Sequence, residues 1–213
     1  FWRPLLYQLS YTPKYFIKYN IYLYKNQCLN FIIYIIIKNN YNYFIQYVKR
    51  GVYLKYTLST NNINETIYVG KILGSLLSSK ILIGLDGDMG CGKTHLTKGI
   101  ALGLNIEDNI KSPTFNLINE YTNGKINLYH FDFYRLNSLD ELFLIGFDDY
   151  IKNDGIKIIE WSSLIKNILP KNTNYINICK SNTNENCRTI EFNFSKDYEE
   201  ILIKAINIFN KEL

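Results

Sequence analysis

Gly87 and Gly92, separated by Asp88, Met89, Gly90 and Cys91 and followed by Lys93, Thr94 and His95, carry the spacing G-x-x-x-x-G-K-[ST] of a phosphate-binding loop. Glycines at these places let successive backbone amides turn inward around an anion with no Cβ in the way. Lys93 is expected to reach the β and γ phosphates of ATP, and the Thr94 hydroxyl to hold Mg²⁺. Residues 87–95 are therefore candidate nucleotide ligands, Lys93 a catalytic one. Cys91 occupies a variable position of the pattern and reads as a small residue rather than a nucleophile. The plain alternative is a Gly-rich turn. The apolar run ILIGLD before the loop and a helical pattern after it argue against that.

Two acids close apolar strand-like runs: Asp132 after INLYHF and Glu160 after GIKII. Ligands of open α/β sheets bind beyond the carboxyl ends of the strands, so both acids are expected to face the loop. Mg²⁺ takes oxygen ligands, and Thr94, Asp132 and Glu160 form the candidate set, with both acids also candidate catalytic groups. The alternative is two solvated turn residues. Ser112, Pro113 and Thr114 make a stiff loop with two hydroxyls, suited to ordering around a γ phosphate. His130 reads as a packed strand histidine before it reads as a catalyst. Arg135 is either a transition-state or partner contact or a surface residue at a helix entry. Trp161 is either packing or a nucleotide neighbour.

These groups need elements to hold them. KILIGLD is a strand ending at the loop, and THLTKGIALGL a helix whose apolar residues Leu96, Ile100, Ala101 and Leu104 share one side. Its N-terminus, with its partial positive charge, would face the same phosphate. Upstream, residues 64–77 read as a helix with Asn64 as N-cap. Residues 126–132 and 155–161 read as strands, and Ser138 with Glu141 as a capping box opening one helix over 139–151. NYINICK and CRTIEFNF flank a polar loop and read as a hairpin, followed from about Tyr198 by a helix burying Ile201, Leu202, Ala205, Ile208 and Phe209. The alternation predicts a three-layer α/β domain of the P-loop NTPase kind over 60–213, with a mostly parallel sheet and a C-terminal β-hairpin and helix.

The first 59 residues differ in chemistry. No Asp or Glu precedes Glu65, whereas eight basic residues do, so positions 1–64 carry +8 while the rest of the chain carries 16 basic against 19 acidic residues. A basic, acid-free stretch resembles an organelle transit segment, which makes a plastid or mitochondrial matrix the expected location and the cytoplasm the alternative. An added structural element, or RNA contact through interleaved Lys and Tyr, are the other readings. The run LNFIIYIII is too short to span a bilayer. Cys28, Cys91, Cys179 and Cys187 form no C-x-x-C pair and indicate neither zinc nor a disulfide framework, although Cys179 and Cys187 stand where a hairpin could oppose them.

GDMGCGKT, SPTF at 112–115, HFDFYRL at 130–136 and IEW at 159–161 occur in the order and spacing of the TsaE (YjeE) family, which the chain resembles over roughly residues 60–195. The resemblance implies a P-loop ATPase of the tRNA threonylcarbamoyladenosine pathway, weak without partners, hydrolysing ATP with Mg²⁺ to reset a TsaD–TsaB complex that itself handles the tRNA. It implies that Thr114 approaches the γ phosphate or its metal, that Asp132 is the Walker-B-like acid, that Glu160 is the second metal-associated acid and water-orienting base, and that Trp161 lies near the nucleotide. It further implies a nucleoside contact at Thr66 and a late-strand arginine at Arg188. The alternative on the same loop is a small-molecule or nucleotide kinase, which would need an Arg-bearing lid that no segment supplies. A GTPase is disfavoured by the absence of N-K-x-D.

Overall fold

Short apolar runs bounded by turn residues build the centre of this protein. The computed structural model describes residues 19–25, 31–37, 44–48, 53–78, 80–181 and 184–212, with side chains from residue 55 onward. The readings of residues 1–59 as a targeting segment or RNA contact, and Cys28, fall mainly outside the described residues. Ten strands form one sheet: β1 (Tyr19–Lys25), β2 (Phe31–Ile37), β3 (Phe44–Val48), β4 (Tyr53–Thr60), β5 (Ile81–Asp86), β6 (Ile118–Tyr121), β7 (Leu128–Asp132), β8 (Ile156–Glu160), β9 (Asn174–Lys180) and β10 (Arg188–Ser195). Their order is β1-β2-β3-β4-β10-β9-β5-β8-β7-β6. The four strands β9, β5, β8 and β7 run parallel, and antiparallel strands extend the sheet on both sides. β1 to β4 and β6 are additions to the sequence reading. Among the described residues no helix is long and apolar enough to cross a membrane.

β7 and β8 are buried along their whole length, as parallel strands covered on both faces must be. Alternate side chains enter two cores. Ile83, Leu85, Ile158 and Ile178 pack under α1 (Ile63–Leu76), α2 (Lys93–Gly103) and α5 (Glu199–Glu212). Phe131, Phe133 and Ile159 pack under α3 (Asp140–Leu144) and α4 (Phe147–Lys152) on the other face. The arrangement is the three-layer α/β P-loop-like fold expected, with the C-terminal hairpin in register from Arg188↔Lys180 to Asn193↔Tyr175. Thr189, not Cys187, stands opposite Cys179, and Cys91, Cys179 and Cys187 are free.

Two local expectations need correction. The N-cap of α1 is Asn62 rather than Asn64: its side chain accepts from Glu65 N at 2.9 Å, while Glu65 Oε2 accepts from Asn61 N at 2.7 Å. A carboxylate at the third helical position selects the upstream asparagine, the reciprocal logic of a capping box. The single helix over 139–151 is two, because Gly146 adopts φ 67° between them and breaks the α-helical ladder. Glu141 reaches back to the backbone N–H of Asn137 at 3.1 Å instead of to a cap at Ser138.

One contact sets the height of α2 and hence of the loop before it. Gly70 and Gly74 of α1 face Gly99 and Gly103 of α2, each pair four residues apart. A Cβ on Gly99 would stand 2.0 Å from Ile67 O, and one on Gly74 would stand 2.2 Å from Ile100 O. The two backbones therefore touch directly, an approach that side chains of any size would prevent.

Candidate functional site

β5 ends at Asp86 and the chain turns at once through the loop 87–92 into α2. Gly87, Gly90 and Gly92 take φ of 139°, 72° and 115°, in the left-handed region that side chains resist. Gly87 also has no room for a Cβ, which would lie 2.2 Å from Ile178 O. The helix opens at Lys93 with no side-chain cap, so its first N–H groups are available to an anion. Lys93 is folded back: Nζ donates to Gly87 O at 2.7 Å and Asp88 O at 2.9 Å, and lies 4.0 Å from the centre of the Trp161 ring. Cys91 is fully buried beneath the loop, and burial pushes its thiol up, with Lys93 opposing. That suits an inert small residue.

The acids meet the loop where expected. Asp132 and Glu160 are register partners at the ends of β7 and β8, 3 % and 2 % exposed. Glu160 Oε1 accepts from Thr94 Oγ1 at 2.9 Å, and His130 Nε2 lies 2.8 Å from the same oxygen. Asp132 Oδ2 accepts from Thr114 Oγ1 at 2.6 Å and from Ser112, and Oδ1 accepts from Tyr134 N at 3.0 Å. The Ser-Pro-Thr loop is thus clamped onto Asp132. Lys93, Thr94, Thr114, Asp132, Glu160 and Trp161 line a single cleft of about 240 Å³, together with Met89, Gly90, Gly92, His95, Ser112 and Tyr134. These side chains, far apart in sequence, converge on one place.

Trp161 is held over Lys93 by its backbone. It takes φ 62°, a conformation costing a non-glycine residue about 1–2 kcal/mol. Its N–H donates to Leu85 O at 3.0 Å, and the turn after it is fixed by Asp86, whose carboxylate accepts from Ser162 Oγ at 2.7 Å and Ser163 N at 2.9 Å. Tyr134 packs on Trp161 with ring centres 5.0 Å apart. On the rim, Phe115 is 81 % exposed under the Arg135 guanidinium, 4.3 Å from its ring centre.

Thr66 and Arg188, expected as nucleotide contacts, are not among the residues lining the cleft. Thr66 is fully buried and its hydroxyl is engaged by Thr60 Oγ1 at 2.9 Å. Arg188 donates from Nε to Cys91 O at 3.2 Å and from its guanidinium to Asn186 O. Arg188 therefore braces the loop backbone at Cys91, and the Thr66 methyl lies beside Gly92. Asp88, exposed and joined to Lys93 through its backbone oxygen, and the buried Cys91 do not line the cleft. The sequence reading missed Asp86 and Tyr134, which hold Trp161, and Lys180, whose Nζ lies 3.6 Å from where a Cβ on Gly90 would stand. The alternation of β9, with Lys180 at its loop-facing end, was the available signal for the last.

The donor set fits Mg²⁺. It consists of a hydroxyl and two carboxylates, all oxygen. Among the described residues no cluster of three or more His, Cys, Asp or Glu is placed to hold a metal ion.

The family model for "Threonylcarbamoyl adenosine biosynthesis protein TsaE" matches residues 60–190. The tRNA threonylcarbamoyladenosine biosynthesis protein TsaE of Bacillus subtilis is 36 % identical over 148 residues, 70 % of this chain and 91 % of that protein. Its namesake from Treponema pallidum is 40 % identical over 109 residues, 51 % of this chain and 80 % of that protein. The crystal structure of Bacillus subtilis YdiB superposes with a TM-score of 0.61 at 30 % identity, covering 76 % of this chain and 99 % of the other.

Proposed function

This chain belongs to the TsaE family, and on that premise we propose that it is a Mg²⁺-dependent ATP hydrolase serving tRNA threonylcarbamoyladenosine biosynthesis with TsaD-like and TsaB-like partners. The observation that carries the reading is the convergence of Lys93, Thr94, Asp132 and Glu160 on one cleft at the mouth of the glycine loop. ATP would lay its phosphates along the loop amides and the N-terminus of α2. Lys93 would then exchange Gly87 O and Asp88 O for phosphate oxygens, moving a buried ammonium from weak carbonyl partners to strong anionic ones. Mg²⁺, when bound, neutralises charge on the β and γ phosphates; Thr94 and Asp132 would hold it, directly or through water.

Glu160 is the residue for the water. Its Oε1 already accepts two bonds, which leaves Oε2 to accept a proton-bearing water directed at the γ phosphorus. Ser112 and Thr114, both on Asp132, place the loop 112–115 where it senses the γ phosphate. A cleft of about 240 Å³ is smaller than the roughly 300–1,000 Å³ that encloses a whole small ligand, so the phosphates are held and the nucleoside lies at an open rim. An open rim admits bulk water and leaves the site for a partner to complete. The exposed Phe115–Arg135 pair beside it supplies apolar area and a cation for that contact.

The test is phosphate release from ATP alone, with and without the TsaD-like and TsaB-like proteins. Slow release by the isolated chain, accelerated by the partners, supports the reading. Phosphate appearing only on an added acceptor would move the assignment to a kinase.

A further inference from the structure

His130 lies on β7, two residues before Asp132, with no solvent exposure. It is one of two histidines in the chain; the other, His95, is exposed. Its Nε2 lies 2.8 Å from Glu160 Oε1, whereas its Nδ1 is buried without a hydrogen-bond partner. Two acceptors do not bond, so the proton must sit on Nε2. We infer that His130 is a positioning residue: its Nε2–H donates to Glu160 Oε1 and, with the Thr94 hydroxyl, fixes that carboxylate so that Oε2 is the atom presented to water.

The geometry explains why a histidine serves here. β7 and β8 are adjacent and parallel, and His130 is opposite Ile158 in register, two positions before Glu160. An imidazole spans that diagonal; a shorter side chain on β7 does not reach. The contact also acts on Thr94. With Oε1 held by His130, the Thr94 hydroxyl must donate toward Glu160, which turns its lone pairs away from the acid, the orientation a metal ligand requires. His130 itself is not among the residues that line the cleft.

The inference rests on the ATPase reading for its kinetic consequence but not for its structural one, and the experiment separates the two. Long-range ¹H–¹⁵N spectra of the full chain, labelled at histidine and recorded in mildly alkaline buffer, show two imidazoles, of which His130→Gln removes one and so assigns it. A proton-bearing Nε2 for His130 is expected. An Nε2 without a proton overturns the inference. In parallel, His130→Leu is expected to keep ATP affinity within about twofold while kcat falls on the order of 10–100-fold, the usual consequence of losing an outer partner of a site residue. His130→Gln, whose amide reaches the same oxygen, restores most of the rate; His130→Asn, which is too short, does not. A leucine variant as fast as the native chain contradicts the role, and should it not fold, the Gln and Asn pair decides. If the native chain releases no phosphate, the ATPase reading fails, and the Nε2 proton still settles whether His130 holds Glu160.

Discussion

Alanine in place of Gly99 sets two known effects against each other. In an isolated helix the change stabilises by about 1 kcal/mol, because glycine is the poorer helix former. Here the new Cβ would lie 2.0 Å from Ile67 O and 2.9 Å from Gly70 Cα, where ordinary contacts are at least 3.4 Å. The helices must separate by about 1.4 Å, and the obstructing atoms are backbone, which cannot rotate aside. Overpacking of this kind costs about 1–3 kcal/mol, and a backbone clash belongs at the upper end or beyond. Net destabilisation of about 2 kcal/mol or more is expected, a fall in Tm of at least about 4–8 °C for a chain of this size. Thermal melts of Gly99→Ala beside Lys98→Ala, an exposed position on the same helix, measure it. Because α2 begins at Lys93, the displacement also tilts the phosphate loop, and ATP affinity should drop with stability. A Gly99→Ala protein as stable as the native chain or more so would refute the close-contact argument and leave helix propensity as the whole effect.

Lys93→Ala is expected to abolish ATP binding, whereas Glu160→Ala keeps binding and slows phosphate release on the order of 100-fold or more; full hydrolysis by the glutamate variant contradicts its role as the water-orienting group. Trp161 emission should change when ATP draws Lys93 off its indole face, 4.0 Å away, and the response should vanish in Lys93→Ala. Burial, with Lys80 adding to it, pushes the Lys157 ammonium down to about 8 from 10.5. Between those values the unfolded chain holds a proton that the folded chain has released, so stability contributed at this site rises with pH across about 8–10.5 and is lowest below 8. Denaturant midpoints of the native chain and Lys157→Met across that range should converge toward alkaline pH if the lysine is the cause, and run parallel if it is not.

How much was legible depended on whether the signal was local. The loop 87–94 and the strand before it were readable because one stretch holds both the glycines and their context. Asp132 and Glu160 were readable because strand ends in a parallel sheet share one side, so position along the chain implied position in space. Thr66 and Arg188 were less legible: whether a polar side chain faces a cleft or packs beside the loop depends on packing depth, and both are buried. β4 was hidden by its alternating composition, which blends into the basic, Tyr-rich stretch before it. Gly70, Gly74, Gly99 and Gly103 looked like helix weaknesses singly, and only the pairing of α1 with α2 shows why no larger residue fits. His130 read as core packing, which its burial supports; the bond to Glu160 is a property of the β7–β8 register.

The central claim is that Thr94 and Asp132 hold one cation together with a triphosphate on the glycine loop, with Glu160 beside them to orient water. Calorimetric titration of ATP into the native chain and into Thr94→Val, each with Mg²⁺ and with a chelator, tests it directly. Binding to the native chain that tightens with Mg²⁺, and loses that dependence in Thr94→Val, is the expected result. ATP affinity indifferent to Mg²⁺ in the native chain, or no binding at all, would contradict it.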